Sequence, residues 1–139
     1  MRSFWLSVTI ALVACEKKPP PAPAFSLADV SGTWTIRAMR DTGDAVLTEY
    51  QMSGTADPTS WTMTLPNRPP MRVRVTVDAD SFIVETPPYP SILQEGVAVV
   101  SRGVSRLRDG KLVGTFVAKY ATRMVDSVLT GRTEGTRVP

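Results

Sequence analysis

The stretch VAVVSRGVSRLRDGKLVGTFVAKY, residues 97–120, alternates apolar and polar side chains on both sides of Arg108-Asp109-Gly110-Lys111. Alternation of this kind is typical of half-buried strands, and an Asp-Gly pair is favoured in the two-residue turns of hairpins. The pattern therefore predicts an antiparallel hairpin with strands at 97–107 and 112–120. Gly103, inside the first strand, indicates a bulge or bend of the kind that lets a sheet curl.

The same pattern continues through the rest of the chain from Asp29, without the 3.6-residue period of a helix. Turn-forming sequences such as Asp41-Thr42-Gly43-Asp44 and the proline-rich residues 66–70 separate the alternating segments. Strands are predicted in this way at 32–40, 46–56, 61–65, 72–77, 81–86 and 127–137, in addition to the two of the hairpin.

Consecutive short strands joined by turns predict an all-β fold, a small eight-stranded antiparallel up-and-down barrel. Closure is favoured because an open sheet leaves unpaired edges that promote aggregation. The alternatives are a curled, half-open sheet and a β-sandwich. In an eight-stranded barrel the interior is either filled by side chains or able to hold one small ligand.

The N-terminal segment combines a basic residue, Arg2, an apolar run from Phe4 to Val13 and the sequence Leu12-Val13-Ala14-Cys15. These are the parts of a secretory signal, and the last four residues resemble the lipobox of bacterial lipoproteins at every position. The resemblance implies that residues 1–14 are a signal peptide and that the sulfur of Cys15 carries a covalent diacylglycerol. An ordinary secretory signal with an incidental cysteine, or a buried thiol, is the alternative.

Residues 15–28 follow as the lipidated cysteine and a tether rich in proline, with Pro19, Pro20, Pro21 and Pro23. Such a composition favours extended polyproline II structure. Residues 29–139 then form the barrel domain. In enteric lipoproteins a residue other than aspartate after the cysteine favours the outer membrane, so Glu16 implies a lipid-anchored protein on the outer membrane of the bacterial cell envelope, facing the periplasm.

Gly32-Thr33-Trp34 lies at the start of the first predicted strand. This sequence resembles the Gly-x-Trp of the lipocalin-like superfamily, in which the tryptophan lies across the closed end of an up-and-down barrel. In those families an arginine of the last strand often packs on that tryptophan, which makes Arg132 and Arg137 candidates by position. The alternative is that Trp34 is a core tryptophan of a β-sandwich.

The composition argues against several classes of function. The chain has no histidine, and Cys15 is its single cysteine, so the commonest general base and metal ligand is absent and no disulfide is predicted. A formal net charge of +3 gives no support for nucleic-acid binding. Glu49, Glu85 and Glu134 are expected to face outward from their strands. We therefore expect no enzyme activity, no metal site and no cofactor apart from the covalent lipid.

Aromatic and methionine side chains at strand positions are the candidate lining of the barrel. They are Trp34, Tyr50, Met52, Trp61, Met63, Phe82, Phe116 and Tyr120. Such side chains suit the binding of a small apolar or amphipathic molecule, although they equally suit a filled core. The loop at residues 87–96 is a candidate lid or docking surface.

These observations lead to two hypotheses of function. The first is a membrane-anchored lipoprotein whose lipocalin-like domain binds a small apolar or amphipathic molecule at the cell envelope. The second is an envelope interaction protein, such as an inhibitor or assembly accessory, whose barrel is solid and whose surface docks a protein partner. The presence of a cavity inside the barrel distinguishes them.

Overall fold

A computed structural model describes residues 25–122 and 127–139. The predicted signal peptide, Cys15 and residues 16–24 of the predicted tether lie outside the described residues. The described part of the chain forms an α-helix, α1 (Leu27–Val30), a 3₁₀ turn (Pro58–Ser60) and ten β-strands. The strands are β1 (Gly32–Arg40), β2 (Val46–Gly54), β3 (Thr62–Thr64), β4 (Met71–Arg72), β5 (Arg74–Asp78), β6 (Ser81–Glu85), β7 (Tyr89–Pro90), β8 (Ala98–Arg108), β9 (Lys111–Tyr120) and β10 (Val128–Arg137).

The strands form one antiparallel sheet in the order β4-β3-β2-β1-β10-β9-β8-β6-β5, with β7 beside β8. The two ends of this order, β4 and β5, are separated along the chain by Val73 alone. The amide of Val73 donates a hydrogen bond to the carbonyl of Trp61 at 3.2 Å. Because β4 and β5 continue one another, the sheet curls into a nearly closed barrel of eight up-and-down strands, with β7 as a short addition. The predicted barrel is confirmed.

The hairpin at residues 97–120 has the predicted turn. Arg108 pairs with Lys111, and both central residues have positive φ, 51° at Asp109 and 78° at Gly110. Positive φ at both positions defines the type I′ turn, whose twist matches that of the flanking strands. The Asp-Gly pair therefore fixes the register of β8 against β9.

The predicted bulge at Gly103 is wrong. Gly103 pairs in continuous register with Val84 of β6 and with Phe116 of β9. The interruption lies instead between Ala38 and Met39 of β1, where the register against β2 shifts. A glycine inside a strand signals either a bulge or a missing side chain on one face, and here the second applies.

The two ends of the barrel are closed in different ways. One end holds α1, the 3₁₀ turn and the two-residue turns after β5 and β8; we term it the closed end. At the other end, the mouth, longer connections join β3 to β4 and β6 to β8. The largest fully buried side chains, Trp34, Trp61, Phe82 and Val30, lie in the half of the barrel next to the closed end, so the dense core is on that side.

Candidate functional site

Trp34 lies across the closed end. Its indole Nε1 donates a hydrogen bond to the carbonyl of Val30 at 2.8 Å, and both residues have no exposed surface. The guanidinium carbon of Arg137 lies 4.4 Å from the centroid of the Trp34 ring, a distance typical of cation–π contacts. The same guanidinium donates to the carbonyls of Ser31 and of Asp29, the latter at 3.0 Å. Arg137 therefore holds the end of α1 over the tryptophan.

Arg132, the other candidate for this role, lies elsewhere. Its guanidinium donates to the carbonyl of Arg40 at 3.2 Å and to that of Gly43, in the connection between β1 and β2. An ion pair of 3.9 Å links it to the exposed carboxylate of Asp44. Arg132 thus supports a turn at the mouth, whereas Arg137 occupies the place that the resemblance implied.

Trp61 completes the closed end. Its Nε1 donates to the carbonyl of Thr55 at 2.9 Å, and its ring packs against Phe82 with centroids 5.0 Å apart and planes tilted by 54°. Gly54 lies under the ring: a Cβ atom at this position would be 2.5 Å from Trp61 Cγ. The glycine at the end of β2 is therefore required for the tryptophan to close the barrel.

A cavity of about 90 Å³ lies inside the barrel, between the packed closed end and the mouth. Of the candidate lining residues, those that border it are Tyr50, Met52, Met63, Phe82, Phe116 and Tyr120. Trp34 and Trp61 form the packed end instead. The barrel thus combines a solid half with a half that retains internal space.

Small side chains on β8, β9 and β10 account for this space. Those that line the cavity are Ser101, Gly103 and Ser105 of β8, Ala118 of β9 and Thr133 of β10. A Cβ atom at Gly103 would find its nearest neighbour 3.8 Å away, at the carbonyl of Thr115, so this glycine leaves open volume. Sequence analysis missed these residues. The signal that identifies them is the recurrence of small residues at every second position, Ser101-x-Gly103-x-Ser105.

Residues 87–96, here termed the mouth segment, fold inward over the open half of the barrel. Tyr89, Ser91, Ile92 and Leu93 of this segment line the cavity. The guanidinium of Arg68, from the connection between β3 and β4, donates to the carbonyl of Pro90 and to that of Ser91 at 3.2 Å. The mouth segment is therefore fastened to the opposite side of the rim.

Three tyrosine hydroxyls are the notable polar groups of the cavity. The hydroxyls of Tyr89 and Ser101 are 2.9 Å apart and share a hydrogen bond. Burial raises the pKa of Tyr50, and the neighbouring Tyr89 raises it further. Burial also raises the pKa of Tyr89, against the opposing effect of its bond to Ser101. Both phenols therefore remain uncharged at neutral pH.

The carboxylates of the strands lie on the outer surface of the barrel. Glu49 is exposed and stands opposite Arg37 of β1. Glu134 forms an ion pair of 3.3 Å with Lys111. Glu85 is opposite Arg74 on one side and Arg102 on the other. None of the described residues that line the cavity carries a formal charge, so they supply no carboxylate acid or base.

Two further features are absent from residues 25–122 and 127–139. No three histidine, cysteine, aspartate or glutamate side chains come together there in a way that would hold a metal ion. Within the same ranges, no helix has the length and apolar character needed to cross a membrane. In comparisons with known proteins, no family model matches the chain, and neither a curated protein nor a solved structure matches it. The site is therefore interpreted from its own geometry.

Proposed function

We propose that this protein is a lipoprotein of the bacterial cell envelope whose barrel binds one small apolar or amphipathic molecule. The observation that supports the proposal most directly is the uncharged cavity of about 90 Å³ between the packed closed end and the mouth segment. Ligand sites in proteins are typically concave and mainly apolar, with a few polar groups that orient the ligand.

The volume limits the size of the ligand. An engineered apolar cavity of roughly 150 Å³ accommodates benzene, and the present cavity of about 90 Å³ is smaller. A slender chain suits it, whereas a six-membered ring or a bulkier molecule requires displacement of the mouth segment. Since the lining offers neither a charged side chain nor a histidine, binding without catalysis is the activity that we propose.

The proposed membrane attachment rests on the sequence Leu12-Val13-Ala14-Cys15, which lies outside the described residues. At roughly 0.8 kcal/mol per buried CH₂, a single acyl chain binds a membrane weakly, whereas two or more chains hold a protein stably. A diacylglycerol on Cys15 would supply two. With Glu16 after the cysteine, the proposed location is the periplasmic face of the outer membrane.

A second candidate function is the docking of a protein partner on the outside of the barrel. The outer face of β8 and β9 favours it, because Val100, Val113 and Val117 are 42%, 46% and 36% exposed. Exposed apolar side chains on neighbouring strands are a common feature of interaction surfaces. In this alternative the cavity is only a packing defect, and the barrel would retain no ligand.

The experiment compares two leucine substitutions in β8. Gly103→Leu places a large side chain in the cavity, whereas Val104→Leu places one on the half-buried outer face of the same strand. The barrel domain is incubated with a total bacterial lipid extract, and bound species are counted by native mass spectrometry. We expect wild-type protein and Val104→Leu to retain a ligand and Gly103→Leu to lose it. Absence of any retained species on the wild-type domain would overturn the proposal.

A further inference from the structure

All three tyrosines of the chain line one cavity. Tyr50 lies on β2, Tyr89 on β7 and Tyr120 on β9. In the sheet, Tyr89 pairs with Val99 of β8, and Val99 pairs in turn with Tyr120, so these two tyrosines flank a single residue. All three side chains thus border the same internal space.

Two of the three hydroxyls retain their hydrogen-bonding capacity. Tyr89 is paired with Ser101. Across the described part of the chain, the hydroxyls of Tyr50 and Tyr120 form no hydrogen bond with a protein group. A phenol can both donate and accept a hydrogen bond, so these two groups are available to a ligand that enters the cavity.

Polarity inside the cavity changes along the barrel axis. Next to the tryptophans the lining is apolar: Met52 pairs with Trp34 and Met63, and Phe82 contacts Trp61. The hydroxyl-bearing residues lie mainly toward the mouth, among them Thr48, Thr86, Ser91, Ser101 and the three tyrosines. The exceptions are Ser105, opposite Phe82, and Thr133, which lies in the same row as Ser105 because both pair with Gly114.

The lining also limits the charge of a ligand. Within residues 25–122 and 127–139, no lining residue is charged. An ionised group that enters an apolar site without a charged partner loses several kcal/mol of hydration. Arg68, a cation at the mouth, is already bonded to two carbonyls of the mouth segment. Among the described residues, those that line the cavity would therefore offer a carboxylate neutral donors but no cationic partner.

We propose that the ligand is an uncharged amphiphile whose hydroxyl, ester or amide group is bonded by Tyr50 and Tyr120 while its apolar chain extends toward the closed end. This inference rests on the proposed function and adds the chemical class and the orientation of the ligand. If this inference is right, molecules with the same alkyl chain and different head groups bind to the barrel with different affinities.

The test uses four probes of equal chain length: hexanol, hexane, hexanoate and hexylammonium. Binding to the barrel domain is measured by calorimetric titration at neutral pH. We expect hexanol to bind at least about tenfold more tightly than either ion, because only the ions must lose the hydration of a charge. Equal or tighter binding of hexanoate would overturn the inference while leaving the proposed function intact.

Removal of the two hydroxyls provides the second arm. In the double variant Tyr50→Phe/Tyr120→Phe, we expect hexanol affinity to fall by about fivefold or more and hexane affinity to remain unchanged, since one neutral hydrogen bond contributes roughly 1 kcal/mol. Thr115→Val, which removes a hydroxyl from the exposed face of β9, is the matched control. An equal loss of affinity for hexanol and hexane would mean that the two tyrosines contribute packing contacts and no hydrogen bond to the ligand. Failure of all four probes to bind wild-type protein would overturn the proposed function as well.

Discussion

Gly54 and Trp61 form the tightest complementary pair of the closed end. Trp61 is fully buried and packs on Phe82. Its ring occupies the space that a side chain at position 54 would need, because Trp61 Cγ lies 2.5 Å from the point that a Cβ atom of residue 54 would take. Interiors are packed at crystal-like density, so the ring has no room to retreat.

Gly54→Ala is expected to destabilise the barrel by about 1–3 kcal/mol, as overpacking does in well-packed cores. Gly103→Ala is the matched control, because its Cβ atom would meet no neighbour closer than 3.8 Å. Urea unfolding followed by tryptophan fluorescence gives both free energies. Equal stability of the two variants would contradict the assigned role of Gly54.

Individual residues are predictable from the sequence to different degrees. The position of Trp34 follows from Gly32-Thr33-Trp34, because the motif is local. The choice between Arg132 and Arg137 does not, since it depends on which of them faces α1 in the barrel. Strand alternation predicts that Trp61 lines the cavity, whereas the Trp61 ring packs in the closed end. Alternation shows which side chains point inward, but it does not show how far along the barrel axis they lie.

At the level of elements, the strands are predictable and their short additions are not. Strands of five or more residues carry their own alternation and turn signals. In contrast, α1 has four residues and β7 has two, too few for a period to appear. Both depend on tertiary partners: α1 is covered by Arg137, and β7 pairs with β8.

The mouth segment is held by Arg68 in addition to the pairing of β7 with β8. Arg68→Ala removes both hydrogen bonds to the carbonyls of Pro90 and Ser91, and hydrogen bonds from a charged donor are stronger than neutral ones. We expect the amide of Ser91, which donates to the carbonyl of Val97 at 2.8 Å, to exchange with deuterium about tenfold faster.

Arg72→Ala is the control for this measurement, because Arg72 is an exposed arginine of β4. Its substitution should leave exchange at Ser91 unchanged. If both variants exchanged at the wild-type rate, the mouth segment would be held by its own turn and by the pairing of β7 with β8, and not by Arg68.

For the whole molecule, closure of the sheet follows from the continuity of β4 and β5 through Val73. Alternation and turn positions predict eight consecutive strands and favour closure, but they leave a half-open sheet and a β-sandwich as alternatives. The volume of the cavity does not follow from the sequence. It is the small difference between the volume that the barrel encloses and the volume of the side chains that fill it. Small residues such as Gly103 alter that difference while leaving the strand pattern intact.

The attachment of the whole protein to a membrane is testable at Cys15. Since no other residue of the chain is a cysteine, Cys15→Ala should abolish lipid labelling and normal processing. The barrel should remain folded, because the described packing begins at Phe25. Cells are labelled with a clickable fatty acid and fractionated. Unlabelled wild-type protein, free in the periplasm or the medium, would contradict the lipoprotein assignment.

The chain reaches the barrel at its closed end, where Phe25 and Leu27 pack against the core. A lipid on Cys15 would therefore join the domain at that end, and with the extended tether that the sequence predicts the opening would point away from the bilayer. A membrane lipid would then reach the interior only after it had left the leaflet. Transfer between vesicles would accordingly be limited by desorption of the cargo into water, and its rate would not depend on the concentration of acceptor vesicles.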